Sequence, residues 1–152
     1  RKKVLNKRAR HNLCYVKNKS QEPDYENKKG RIVDLNSKTQ LCHEVDRLTE
    51  LINRVVEFNP KVVEGNHYYN DKCGIGYHGD TERKIVVAMS IGKSSKIKWQ
   101  WYKHSKRVND PFEVTIHDSD VYIMSEKAVG YDWKYRSRFT LRHAAGAIKY
   151  IK

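Results

Sequence analysis

The residues richest in chemistry lie within one stretch, Asn66-His67-Tyr68-Tyr69-Asn70-Asp71-Lys72-Cys73-Gly74-Ile75-Gly76-Tyr77-His78-Gly79-Asp80-Thr81-Glu82. His78 and Asp80 form an H-x-D pair. Two residues apart at a strand end, their side chains leave on the same side, so an imidazole and a carboxylate can reach one metal ion. One further ligand from a distant strand would complete the facial triad of non-haem iron(II), with three positions left open for substrate and oxygen. H-x-D alone is a common pattern, but its surroundings add to it. Asn66-x-Tyr68 precedes it, Glu82 follows Asp80 by two, a strand ending Ser90-Ile91-Gly92 comes next, and Arg136-x-x-x-Thr140-x-Arg142 stands near the C-terminus.

The elements that must position these groups read as one helix and a series of short strands. Leu41, Val45, Leu48, Leu51, Ile52, Val55 and Val56 recur at spacings of three and four. This predicts an amphipathic helix over about 40–57, capped near Ser37 or Thr39 and stopped before Asn59-Pro60. Beyond Pro60 the period shortens towards two: Lys84–Ile91, then Ile97/Trp99/Trp101, Phe112/Val114/Ile116, Val121–Met124 and Arg138–Leu141. Turns are expected at Gly92-Lys93, Asn109-Asp110-Pro111 and Asp118-Ser119. Strands at such regular spacing predict a sandwich or jelly roll. On that pattern Arg136, Arg138 and Arg142 alternate on one strand and face one side.

The chain has 152 residues, 38% hydrophobic and 32% charged, with 11% aromatic. That composition predicts a small packed core under a polar skin, in one domain. No apolar run approaches the ~18 residues of a membrane span, and no apolar segment follows the basic start as in a secretory signal. Cys14, Cys42 and Cys73 are odd in number and lack C-x-x-C spacing, so thiols in a reducing compartment such as nucleus or cytoplasm are expected, with Cys42 and Cys73 as packing residues. The net charge of +13 calls for a polyanion or another acidic partner. Residues 1–38 alone hold +8 of it and show weak helix and strand signals, so they read as a basic arm or lid before a domain at 39–152.

The segment from Asn66 to Arg142 resembles AlkB-type oxygenases of the 2-oxoglutarate- and iron(II)-dependent superfamily. That family carries N-x-Y, H-x-D-x-E, a strand end like Ser90-Ile91-Gly92, a G-D-like turn (here Ser119-Asp120), a distal His and R-x-x-x-T-x-R. Gln21-Glu22-Pro23-Asp24-Tyr25 and Met124-Ser125-Glu126-Lys127-Ala128 are further similar to a branch of large DNA viruses and algae, with a virion location possible in that case. The resemblance implies an α+β, mainly β fold: a double-stranded β-helix (jelly roll) with the helix packed on it and the basic arm in front. It implies Fe(II) on His78 and Asp80, and 2-oxoglutarate held by Asn66, Tyr68, Arg136 and Arg142. Where the distal His is expected stands Asp132, within Gly130-Tyr131-Asp132-Trp133. Asp132 as third ligand, His143, His117, or a defective site are the alternatives that follow.

The implied activity is oxidation of 2-oxoglutarate to succinate and carbon dioxide coupled to hydroxylation or demethylation of a substrate, with nucleic acid favoured by the charge. Phosphate contacts by the arm and by the acid-free stretch Lys93–Arg107 would be strongly salt-dependent. Trp99, Trp101 and Tyr102 would either stack on a flipped base or fill a core. The alternative is a catalytically impaired oxygenase-fold module serving as a basic nucleic-acid-binding or assembly protein, with an acidic protein partner as another possibility. A third reading, single-strand binding through aromatics and lysines, requires Trp99 and Trp101 to be exposed.

Overall fold

The computed structural model describes residues 10–152, which fall into two compact units, 10–67 and 68–152. The first nine residues of the predicted arm lie outside the described residues. The rest of that segment is built into structure, and this corrects the arm reading. β1 (His11–Val16) pairs in parallel with β2 (Ile32–Asp34) and antiparallel with β3 (Val63–His67), giving a sheet of order β2-β1-β3. β1 and β2 are short, and only part of each needs to be apolar when the other side is solvated. Asp34 ends β2 by accepting from the Asn18 and Asn36 amides at 2.9 and 3.0 Å, and Ser37 Oγ donates to its carbonyl at 2.7 Å.

The helix α1 (Thr39–Asn53) follows in this same unit, with Ile52 buried. It stops four residues before the predicted end. The Asn53 carboxamide accepts from the Phe58 amide at 2.8 Å and donates to the Phe58 and Thr49 carbonyls, which closes the helix C-terminus locally. Val55 and Val56, counted in the helical stripe, lie beyond it and are exposed.

The second unit is all antiparallel. β4 (Gly74–His78), β6 (Ser95–Lys103), β7 (Lys106–Ile116) and β9 (Thr140–Gly146) form a sheet of order β4-β9-β6-β7. β5 (Val86–Met89) and β8 (Val121–Met124) form a two-stranded sheet, and two single-turn helices, α2 (Glu126–Val129) and α3 (Ile148–Ile151), flank β9 in sequence. Ile97, Ile116, Met124, Val129, Ala144 and Cys73 are buried in it. The protein is thus mainly β with antiparallel sheets and a few helices. All three cysteines are free thiols, and no helix among the described residues is long and apolar enough to cross a membrane.

One predicted turn is displaced. The β6–β7 hairpin turns at His104-Ser105, both at positive φ (48° and 63°) as a two-residue primed turn requires. Asn109-Asp110-Pro111 is instead a bulge inside β7, because the register jumps from Trp99↔Phe112 to Trp101↔Val108. Gln100 fills it. Its side chain is 2% exposed and donates to the Val108 and Asn109 carbonyls at 3.1 and 3.0 Å. Leucine there would keep the volume but leave those carbonyls buried and unpaired, at about 1–3 kcal/mol for each orphaned group. Gln100→Leu is therefore expected to lower unfolding free energy by about 2–4 kcal/mol in chemical denaturation. A loss under about 0.5 kcal/mol would show that the amide does not hold the bulge.

Candidate metal centre

β4 ends at His78, and its antiparallel partner β9 sets His143 directly opposite. The two imidazole centroids are 4.3 Å apart with planes at 54°. Asp80 stands just past the strand end, its backbone N–H donating to the Val129 carbonyl at 3.1 Å. Ligand atoms of His78, Asp80 and His143 all lie within 4.8 Å of one another. Two imidazoles and one carboxylate are a donor set suited to iron and its first-row neighbours.

The hydrogen bonds around these side chains leave lone pairs free to ligate. His78 Nδ1 is 2.8 Å from the Gly76 carbonyl, which can only accept, so Nδ1 carries the proton and Nε2 presents its lone pair. Nε2 is 3.8 Å from Asp80 Oδ1, too far for a hydrogen bond. His143 is 8% exposed and its Nδ1 has no aligned hydrogen-bond partner. Burial, reinforced by His78 and only partly offset by the Ala128 carbonyl, pushes its pKa down to about 4. The ring is neutral at neutral pH, the form a metal binds.

A second group of residues sets the backbone. α2 is capped by Ser125 at its start and by Gly130, at φ 76°, at its end. A Cβ on Gly79 would fall inside van der Waals contact of the Gly130 carbonyl and of the Trp133 side chain. The H-G-D corner therefore lies flat against the end of α2, and any residue larger than glycine would push His78 and Asp80 away from it.

Of the candidates for the third ligand, the structure brings in His143. Asp132 is held elsewhere, its Oδ2 at 2.6 Å from Lys127 Nζ. His117, on the residue after β7, shares a hydrogen bond of 3.0 Å with Ser94 Oγ. Neither belongs to the cluster.

The cosubstrate candidates scatter more widely. Asn66 lies on β3 in the first unit, where its carboxamide oxygen accepts from Arg10 Nε at 2.6 Å and Asn12 Nδ2 at 3.0 Å. Tyr68 lies in the second unit close to Tyr122, whose phenol burial pushes up to about 12, with Tyr68 adding to it. Arg136 and Arg138 are exposed and precede β9, so the reading of three arginines on one strand is corrected: only Arg142 is on it. Consecutive strand residues face opposite ways, so Arg142 lies on the far face from His143. Its guanidinium sits 4.0 Å from the Tyr102 ring centre and 5.3 Å from that of Trp133.

Two contributors escaped the sequence reading. Arg83 is the guanidinium beside the cluster, its Nη1 3.4 Å from Asp80 Oδ2. The Gly79–Gly130–Trp133 contact had a visible trace only in the two glycines, because their meeting depends on α2, a helix too short to give a periodic signal.

The chain is 42% identical over 151 residues to "Uncharacterized protein R156" of Acanthamoeba polyphaga mimivirus, an alignment covering 99% of this chain and 58% of that protein. The chain thus spans a little over half the length of this viral relative. No protein-family model matches it, and no solved structure does.

Gly79→Ala is expected to cost about 1–3 kcal/mol of stability from overpacking and to abolish divalent-metal binding, read by denaturation and by metal titration of the same sample. Unchanged stability together with unchanged metal affinity would show that the corner does not depend on this contact.

Proposed function

We propose that the chain carries an iron(II)-binding oxygenase centre of the 2-oxoglutarate-dependent type, with His78, Asp80 and His143 as the protein ligands. The observation that carries this reading is the His-Asp-His cluster itself, two of whose members come from the H-x-D motif and the third from a strand paired beside it. The set fits the metal: one carboxylate and two imidazoles, with the His143 ring buried. Iron(II) held there would activate dioxygen, one oxygen atom going into the oxidation of 2-oxoglutarate to succinate and carbon dioxide and the other into a substrate C–H bond.

The chain's own residues hold and shield that chemistry. The Gly76 carbonyl fixes the His78 tautomer. Trp99, paired across from His143, donates through Nε1 to the Ala128 carbonyl at 3.1 Å and so ties α2 to the sheet. The 2-oxoglutarate part of the reading rests on the sequence resemblance, since Arg142 faces away from the cluster and Arg136 stands before the strand.

The finer fold in this reading is a jelly roll, and strand pairing supports it. β4 pairs β9, β5 pairs β8 and β6 pairs β7. Such nested antiparallel pairs are those of one long hairpin whose arms alternate between two sheets, as in a jelly roll. The helix α1, expected to pack on that roll, belongs to the other unit.

Nucleic acid is the proposed substrate class. Residues 68–152 hold sixteen Lys and Arg against nine Asp and Glu, whereas 10–67 hold ten against nine. On the same sheet face as His143, Trp101 and Phe112 are exposed, and Lys127 Nζ lies 5.7 Å from the Trp101 ring centre. Exposed rings beside ammonium groups suit stacked bases and their phosphates.

Anaerobic titration with iron(II) and 2-oxoglutarate tests this. The expected result is a visible metal-to-cosubstrate charge-transfer band that is lost in His78→Ala and in His143→Ala and kept in Asp132→Asn. Absence of the band in the wild-type chain, with no 2-oxoglutarate binding, would reduce the reading to one about fold and leave the basic binding module in its place.

A further inference from the structure

The two oxygens of Asp80 have different neighbours. Oδ1 is the oxygen on the cluster side, 3.8 Å from His78 Nε2. Oδ2 faces Arg83, at 3.4 Å from Nη1. The other terminal nitrogen of Arg83 lies 3.8 Å from Glu82 Oε1, so one guanidinium spans both carboxylates of the D-x-E pair. Asp80 is already fixed through its backbone by the Val129 carbonyl. Rotation of its carboxylate is the remaining freedom, and Arg83 opposes it. The Asp80 side chain is 16% exposed and that of Arg83 34%, so solvent screens this pair less than an open surface ion pair.

The consequence concerns how many metal positions the protein fills. A carboxylate can give one oxygen or two to an ion. If Asp80 gave both, it would occupy a position that an incoming ligand needs. A charge-assisted hydrogen bond to one oxygen keeps that oxygen off the metal and aims the other at it. We infer that Arg83 is a positioning residue that holds Asp80 as a one-oxygen ligand and so preserves the open side of the centre. This inference rests on the metal reading of His78, Asp80 and His143.

Manganese(II) alone is the probe, titrated into the full chain. Free ion is followed by electron paramagnetic resonance, and water on the bound ion by proton relaxation. Wild type is expected to bind with water filling the open positions. Arg83→Gln and Arg83→Met are expected to raise the dissociation constant by about tenfold or more. They should also lower the relaxation enhancement per bound ion by about a third, as a second Asp80 oxygen displaces one of three waters. Arg83→Lys, which keeps a donor for Oδ2, should recover most of both, and Glu82→Gln should change neither. The melting temperature of the metal-free protein should be the same in all, which separates positioning from general support. Wild-type affinity and relaxation in either folded variant, Gln or Met, would overturn the role of Arg83 while leaving the metal centre intact. A wild-type chain that takes up no manganese would overturn the metal reading and this inference with it.

Discussion

The antiparallel pairing of β4 with β9 is the constraint on which the rest of the second unit depends. It lays His78 against His143 from positions 65 residues apart in sequence, with the ring centres 4.3 Å apart. Two imidazoles so close cannot both be charged at low cost, and burial reinforces the neutral form of His143. The sheet, held in register by its other ladder bonds, keeps the two rings together.

The supporting parts act on this pair from separate directions. The flat approach of Gly79 to Gly130 lets the chain leave β4 and bring Asp80 back beside His78. The short helix α2, capped at both ends, supplies the carbonyls of Ala128 and Val129 that receive Trp99 Nε1 and the Asp80 amide. Gln100 on β6 satisfies two carbonyls of the bulge in β7, and β6 pairs with β9 along its other edge. Charge is distributed unevenly as well. Among residues 10–152 the surplus of basic residues lies in 68–152, with sixteen Lys and Arg against nine Asp and Glu.

Much of this was legible in the sequence, for reasons that can be named. The α1 stripe and the alternation in β6 through β8 are local patterns, and local patterns survive without tertiary context. His78 and Asp80 were legible because a two-residue spacing on a strand fixes a common side. His143 was visible only as one alternative, because its place beside His78 depends on which strand lies next to β4, and pairing is a long-range fact. The R-x-x-x-T-x-R resemblance put Arg142 near one end of the cosubstrate, yet adjacent residues on a strand face opposite ways, and it is His143 that lies beside His78. β1 and β2 were hidden by their shortness and by the Asn, Lys, Pro and Gly residues that separate them. The β6–β7 turn was misplaced since Asn-Asp-Pro has strong turn chemistry, while His104-Ser105 adopts positive φ without the glycine that would have announced it.

Crystals of the chain loaded with manganese(II), with data collected to reveal the metal's anomalous scattering, would test most directly whether His143 completes the centre. The expected result is a single strong peak within bonding distance of His78, Asp80 and His143, with Asp132 still on Lys127. A peak bonded to Asp132 with His143 detached, or no peak between β4 and β9, would contradict it.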